Sequence, residues 1–225
     1  MTNRSYGQYC GLARALELVG DRWALLIVRD LLVGPRRFSE LEQDLSGLSS
    51  SVLAARLKEL EAVGVVQREV LPRPESGFHY VLTEFGRDLA PAVKQLARWG
   101  ARALGPPQPG EVVTQDSLVM ALRTIFRPEK AGGRRCGYEV RVGEAVAHVR
   151  VADARAEAAP GPLPEADMVI DARPGLRALL AGEITAQEAL DQGLAELRGD
   201  PALFHDFAEM FRIDPPPGAC GHAGD

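Results

Sequence analysis

Three consecutive hydroxyl side chains, Ser49, Ser50 and Ser51, open a run in which Leu53, Leu57 and Leu60 fall on one helical stripe. Off that stripe lie Ser51, Ala54, Ala55 and Lys58. On a helix beginning at Ser49, the free N–H groups of the first turn and the helix dipole favour an anion such as a phosphate oxygen. Small and hydroxyl side chains on the outward face let such a helix enter a major groove and meet base edges. Arg36, Arg37, Arg56 and Lys58 could supply charge to a phosphate backbone, and Arg73 could reach a minor groove or a phosphate. Each residue also has a plainer role: a serine triplet ahead of a helix serves as a cap, and Arg56 can pair with a nearby carboxylate.

Other chemistry is poorly served. Cys10, Cys136 and Cys220 are far apart and odd in number, which implies neither a disulfide framework nor a zinc ribbon. His148 and His205 are isolated, and Cys220-Gly221-His222 is a single pair near the end of the chain, so no metal site is expected. Gly132-Gly133-Arg134-Arg135 is too short for a phosphate loop, and no nucleophile stands beside a base. The expectation is a protein without a cofactor and without catalytic residues.

The elements that would position the serines are legible around them. Leu12, Leu16, Val19, Trp23, Leu26 and Ile27 recur at helical spacing, with Gly20-Asp21 breaking them into two helices. Gly34-Pro35 stops the second. A short helix from Ser39 to Leu45, a turn at Ser46-Gly47-Leu48 and a helix from Ser49 to about Val63 come next. Val65–Leu71 and Phe78–Leu82 read as paired strands around the Pro72–Gly77 tip. A last helix is expected from Thr83 or Glu84 to Ala103, kinked at Pro91. Helix, turn, helix and a basic-tipped hairpin make a winged helix-turn-helix.

The rest of the chain changes pattern. Gly105–Gly110 is a Pro-rich linker, and Pro160–Pro164 reads as a loop. Ser117–Phe126 is amphipathic, Tyr138–Val142 and Ala147–Val151 alternate around Gly143-Glu144, and Met168–Ile170 is a short buried strand. Leu176–Leu180, Ala186–Leu190 and Ala202–Phe211 read as helices. The fold class is therefore α+β: a mostly α winged helix-turn-helix at 1–105, a linker at 106–111, an α+β domain at 112–213 and a flexible tail at 214–225.

The 225 residues carry a formal net charge of −5, which is unhelpful to a DNA binder, but the charge is uneven. Residues 1–105 hold 14 Lys and Arg against 12 Asp and Glu, and residues 106–225 hold 12 against 19. The acidity thus lies in the second half, which leaves room for a basic face in the first. No apolar run approaches the roughly 20 residues that span a bilayer, and Met1–Tyr9 has no secretory apolar core. A cytoplasmic protein with no membrane partner is expected.

Cys10–Trp23 resembles the opening of the HxlR-type regulators. Arg37-Phe38-Ser39-Glu40-Leu41, Leu57-Lys58-Glu59-Leu60-Glu61, Tyr80-Val81-Leu82-Thr83 and Trp99-Gly100 continue the likeness in order over residues 6–105. The resemblance implies a transcriptional regulator, a homodimer whose recognition helices read double-stranded DNA at half-sites of a near-palindrome. Its dimer would be built by Leu12, Leu16, Leu89, Val93, Leu96 and Trp99, residues that could equally be ordinary core. The family opening often reads Cys-Pro where this chain has Cys10-Gly11. Some members use that cysteine as a redox sensor, and a thiol near a helix N-terminus has a depressed pKa; a small residue that merely packs is the other reading.

Residues 112–213 resemble a sterol-carrier-protein-like domain through Tyr138–Gly143, His148–Val151, Asp167–Ile170, Leu179–Gly182 and Gly199-Asp200-Pro201. That likeness implies a sheet and helices around an apolar cavity for a hydrophobic small-molecule effector. Leu118, Leu122, Phe126, Phe204, Phe207 and Phe211 would line it, or else form a small core. A lipid-binding carrier is the alternative to a ligand-responsive regulator, and both repression and activation suit the architecture.

Overall fold

The structure is a computed structural model that describes residues 5–71, 76–173 and 176–214. Arg73 at the wing tip, Cys220 and the tail from Pro215 lie outside the described residues. The chain divides into two units, Met1–Val93 and Lys94–Asp225.

In the first unit the Gly20-Asp21 break separates α1 (Gly11–Val19) from α2 (Ala24–Val33). α3 (Phe38–Asp44) and α4 (Ser50–Ala62) come next, with Ser49 at the N-cap of α4 in extended conformation. α4 ends where Gly64 adopts φ +75°, a left-handed conformation that carries the chain into a strand. β1 (Val66–Val70) and β2 (Phe78–Leu82) pair antiparallel, Val66 opposite Leu82. Arg36 adds a third edge to this wing: Tyr80 N–H donates to its carbonyl at 2.7 Å and its own N–H donates to the Tyr80 carbonyl at 3.1 Å. Ile27, Leu41, Leu53, Leu57 and Leu60 are fully buried and form the core that sets the angle between α2, α3 and α4.

Beyond the wing the chain forms two helices, where the sequence predicts a single long one kinked at Pro91. α5 (Glu84–Arg87) is a single turn, capped by Thr83 Oγ1, which accepts from Gly86 N–H at 3.0 Å. α6 (Ala90–Ala101) starts afresh with Pro91 in its first turn. Proline is tolerated there because that N–H has no intrahelical partner, whereas inside a continuous helix its ring would meet the carbonyl of Arg87. The division between the two units falls within α6.

In the second unit α7 (Gln115–Ile125) begins at a capping box between Thr114 and Ser117, and the one-turn α8 (Pro128–Ala131) succeeds it. β3 (Cys136–Val142), β4 (Ala145–Ala152), β5 (Arg155–Pro160), β6 (Met168–Ala172) and β7 (Ala195–Gly199) form one sheet in the order β5-β4-β3-β6-β7. β3 and β6 are parallel, and the other neighbours are antiparallel. α9 (Leu176–Leu180) and α10 (Ala186–Asp191) lie between β6 and β7, and α11 (Pro201–Met210) ends the unit.

Two strands here are absent from the sequence expectation. β5 ends at Pro160, inside the tract that reads as a loop; at a sheet edge a missing N–H costs no ladder bond. β7 is the other edge, and its Ala195-Glu196-Leu197-Arg198-Gly199 composition carries little strand preference.

Candidate DNA-reading surface

α4 presents two sides of opposite character. Leu53, Leu57 and Leu60 are 0%, 1% and 2% exposed, while Ser49, Ser50, Ser51, Ala54, Ala55 and Lys58 are all exposed. The apolar stripe packs the helix down, and a face of small side chains plus one cation is left outside. The first turn is quieter than its sequence suggests. Ser49 makes no cap bond; its hydroxyl lies 3.2 Å from that of Ser51, and the Ser50 hydroxyl donates to the Glu42 carboxylate.

The cations expected at a phosphate backbone sit in different settings. Lys58 projects from the outward face of α4. The Arg36 guanidinium donates to the Pro35 carbonyl at 2.9 Å, and that of Arg37 donates to the Ser76 carbonyl at 3.3 Å. Arg56 differs: its guanidinium sits 2.5 Å from Asp21 Oδ2 and also pairs with Glu59. Asp21, Glu42 and Glu59 are the side chains the sequence reading missed. Glu59 was within reach of it, three positions from Arg56, but Asp21 is distant in sequence.

Two helices carry the apolar residues expected at a dimer contact. On α1, Leu12 and Leu16 are exposed. On α6, Leu96 and Trp99 are exposed, the indole by 71%, while Val93 is buried; Leu89, just before α6, is half-buried.

Cys10 is the N-cap residue of α1, exposed, with its carbonyl accepting from Arg14 N–H at 3.0 Å. Its thiol closes no cap hydrogen bond, yet the backbone N–H groups of Ala13 and then Leu12 favour the thiolate and lower its pKa below the usual thiol range. It borders an open hollow of about 630 Å³ together with Gln8, Tyr9, Arg14 and Glu17. Burial pushes the Cys136 thiol the other way.

The apolar pocket expected in the second unit is closed. Leu118, Leu122, Phe126, Phe204, Phe207 and Phe211 are all buried, and the rings of Phe207 and Phe211 stack with centroids 4.5 Å apart. Tyr138 from the sheet meets Phe207 at 5.2 Å, and Phe126 meets Phe211 at 5.4 Å. The six side chains pack as core because the faces of α7 and α11 lie directly on the sheet. A hollow of about 370 Å³ does exist in this unit, lined by Leu179, Ile184, His205 and Arg212 among others, but none of the six borders it.

Among the described residues, no group of His, Cys, Asp and Glu side chains could hold a metal ion, and no helix is long and apolar enough to cross a membrane.

A helix held by its apolar stripe, preceded by a tight turn and succeeded by a paired wing, defines a winged helix-turn-helix DNA-binding protein. Residues 18–108 match the family model described as HxlR-like helix-turn-helix, and the chain belongs to this family. It is 43% identical over 93 residues to an uncharacterized HTH-type transcriptional regulator, YvaP, of Bacillus subtilis (strain 168), covering 41% of this chain and 86% of that protein. It is 41% identical over 108 residues to the uncharacterized HTH-type transcriptional regulator Rv3095 of Mycobacterium tuberculosis (strain ATCC 25618 / H37Rv), covering 48% of this chain and 66% of the other. Among solved structures, the reduced form of the transcriptional regulator YodB from B. subtilis is 35% identical, with 45% of this chain and 100% of that chain covered and a TM-score of 0.39.

Proposed function

We propose that the protein is a sequence-specific transcriptional regulator that binds double-stranded DNA as a homodimer on a near-palindromic operator. The observation that carries this reading is the division of α4 into a buried leucine stripe and an exposed face of Ser51, Ala54, Ala55 and Lys58. Ser49, Ser50, Arg36, Arg37 and, at the wing, Arg73 would complete the contact. Dimerisation is supported by Leu12 and Leu16 on α1 and by Leu96 and Trp99 on α6, apolar side chains left in water by the protomer. The chain from the Pro-rich linker onward would be the control domain. One sheet with helices laid on it fits a sterol-carrier-like role, in which a hydrophobic effector would enter by parting Phe207 from Phe211.

Selection of duplexes by the full chain from a random-sequence library tests the first part. One enriched near-palindrome, bound more tightly than random duplex and with steep salt dependence, is expected. No enrichment would overturn the reading. Native mass spectrometry of the purified chain tests the second: a co-purified lipophilic mass supports the effector, and a bare mass with operator affinity indifferent to added lipids removes it.

Redox control through Cys10 is a second reading, favoured by its exposure and lowered pKa. Operator affinity measured before and after oxidation, in wild type and in Cys10→Ser, decides it. Equal affinities in all four states eliminate the sensor.

A further inference from the structure

We propose that Asp21 and Trp23, in the loop between α1 and α2, are positioning residues that fix the tilt at which α4 reads DNA, and that Arg56 is their anchor on α4 rather than a phosphate contact. The proposal rests on the reading of α4 as the recognition helix.

Arg56 lies on the flank of α4 beside Leu53 and Leu60, not on the outward face with Ser51, Ala54 and Lys58. Its guanidinium bridges Asp21, at 2.5 Å, and Glu59. Its Nε is buried and has no hydrogen-bond partner, so the root of the guanidinium is already out of water. Two carboxylates already hold this guanidinium, so little of its charge is left to draw in a phosphate.

Trp23 makes the second grip. Its φ of +82° is left-handed, a conformation that a large side chain keeps only where its surroundings compel it. Its ring reaches the turn ahead of α4. The indole rests against Gly47 so closely that a Cβ there would come within 2.9 Å of Trp23 Cη2. The Arg22 guanidinium sits over the same ring, 5.3 Å from its centroid. Two residues of one short loop therefore hold the reading element at two places, the turn before its first residue and its second turn. One contact would fix a position; two fix a direction. A recognition helix must project its side chains to base edges within a fraction of an ångström, so its tilt sets discrimination, whereas phosphate contacts set affinity for any duplex.

The test uses the full chain and two probes, the duplex that wild type selects from a random library and a scrambled duplex of equal length. Fluorescence anisotropy over a salt series is measured for wild type, Asp21→Asn, Arg56→Met, the double variant and Lys58→Ala. Asp21→Asn and Arg56→Met should each lower affinity for the selected duplex at least tenfold, with the double variant no weaker than the weaker single. Their salt slopes and their affinity for the scrambled duplex should match wild type. Lys58→Ala should instead flatten the slope on both probes. Gly47→Ala provides a charge-free arm that stays informative if an Asp21 or Arg56 variant fails to fold: it displaces the indole and should reduce discrimination with no change of slope.

An Arg56→Met protein whose slope falls by about one on both duplexes, together with Asp21→Asn binding as tightly as wild type, would overturn the proposal and make Arg56 a phosphate contact. Additive losses in the double variant, or wild-type discrimination by Gly47→Ala, would overturn it as well. A wild type that does not discriminate the two duplexes overturns the reading of α4 itself, and so is distinguishable from these outcomes.

Discussion

Leu57 and Lys58 are chain neighbours that the fold sends to opposite sides of α4, and replacing each by alanine separates stability from recognition. Leu57 is 1% exposed. Truncating a leucine in such a site removes buried methylene surface and leaves a partly unfilled cavity, a loss of about 2–5 kcal/mol. For a unit of this size each kcal/mol moves the melting point by about 4–8 °C, so Leu57→Ala should melt at least about 8 °C lower. Lys58 is exposed, and its removal should change stability by less than about 0.5 kcal/mol. Its effect is expected in DNA binding. One phosphate contact per protomer, two in a dimer, is worth about 1.8 in the slope of log affinity against log salt. Between 50 and 200 mM salt that slope difference amounts to about a twelvefold smaller loss of affinity for Lys58→Ala than for wild type. Thermal melts by circular dichroism and anisotropy titrations at four salt concentrations read both quantities. Wild-type melting of Leu57→Ala would refute the buried stripe, and an unchanged salt slope for Lys58→Ala would refute the outward face as the side that meets phosphate.

The same geometry leads to four further outcomes. Phe207→Ala, which deletes a ring stacked on Phe211 and packed on Tyr138, should cost about 3–5 kcal/mol in urea unfolding; a cost below about 1 kcal/mol would mean that the cluster encloses space rather than filling it. Leu12→Glu and Trp99→Asp should each shift the sedimentation coefficient from dimer to monomer with little change in melting temperature, because both side chains are already in water within the protomer. Cys10 should alkylate before Cys136 at neutral pH: a lowered pKa keeps its thiolate populated as the pH falls below the ordinary thiol range, while the raised pKa of Cys136 removes its thiolate first. Peptide mass spectrometry of a pH series checks the order. Replacing thymine by uracil in the selected operator should weaken binding about fourfold at each base whose methyl meets Ala54 or Ala55, the worth of roughly one buried CH₂ group.

The elements from α1 to β1 were legible because most of their boundaries carry a residue with a mechanical reason to be there. Gly20 ends α1, Gly34 ends α2, Ser49 precedes α4, and Gly64 turns the chain into β1. The second unit was harder, since pairing overrides weak local preference. Arg155–Pro160 has no β-branched or aromatic residue; it is a strand because β4 pairs with it and the Arg123 guanidinium donates to the Ala158 carbonyl at 2.7 Å. The close packing of the six pocket candidates was hidden for a related reason. Composition reveals how much aromatic mass is present, whereas distances alone reveal that Phe207 and Phe211 leave no gap. At the reading helix, the stripe and the outward face were legible from a period of 3.6, but the partner of Arg56 was not, since Asp21 lies 35 positions away.

That hidden partner changes the electrostatics of the reader. Counted from the sequence, α4 brings two cations to the DNA; counted from the structure, one of them is held by Asp21 and Glu59. The Ser50 hydroxyl is likewise engaged by Glu42, so carboxylates stand close to the helix start and to its middle. On α4 that leaves Lys58 as the cation open to an arbitrary duplex, because non-specific binding is almost wholly a matter of uncancelled positive charge. What remains outward beside Lys58 is small and largely apolar: Ala54, Ala55, the half-exposed Val52 and the hydroxyl of Ser51. Side chains of that kind gain nothing from a phosphate and something from a thymine methyl or a groove of the right width. On this account the nearly neutral charge of the first half is no obstacle to a DNA reader. It shifts the burden from affinity to fit, and fit depends on the tilt that the loop at Asp21–Trp23 holds.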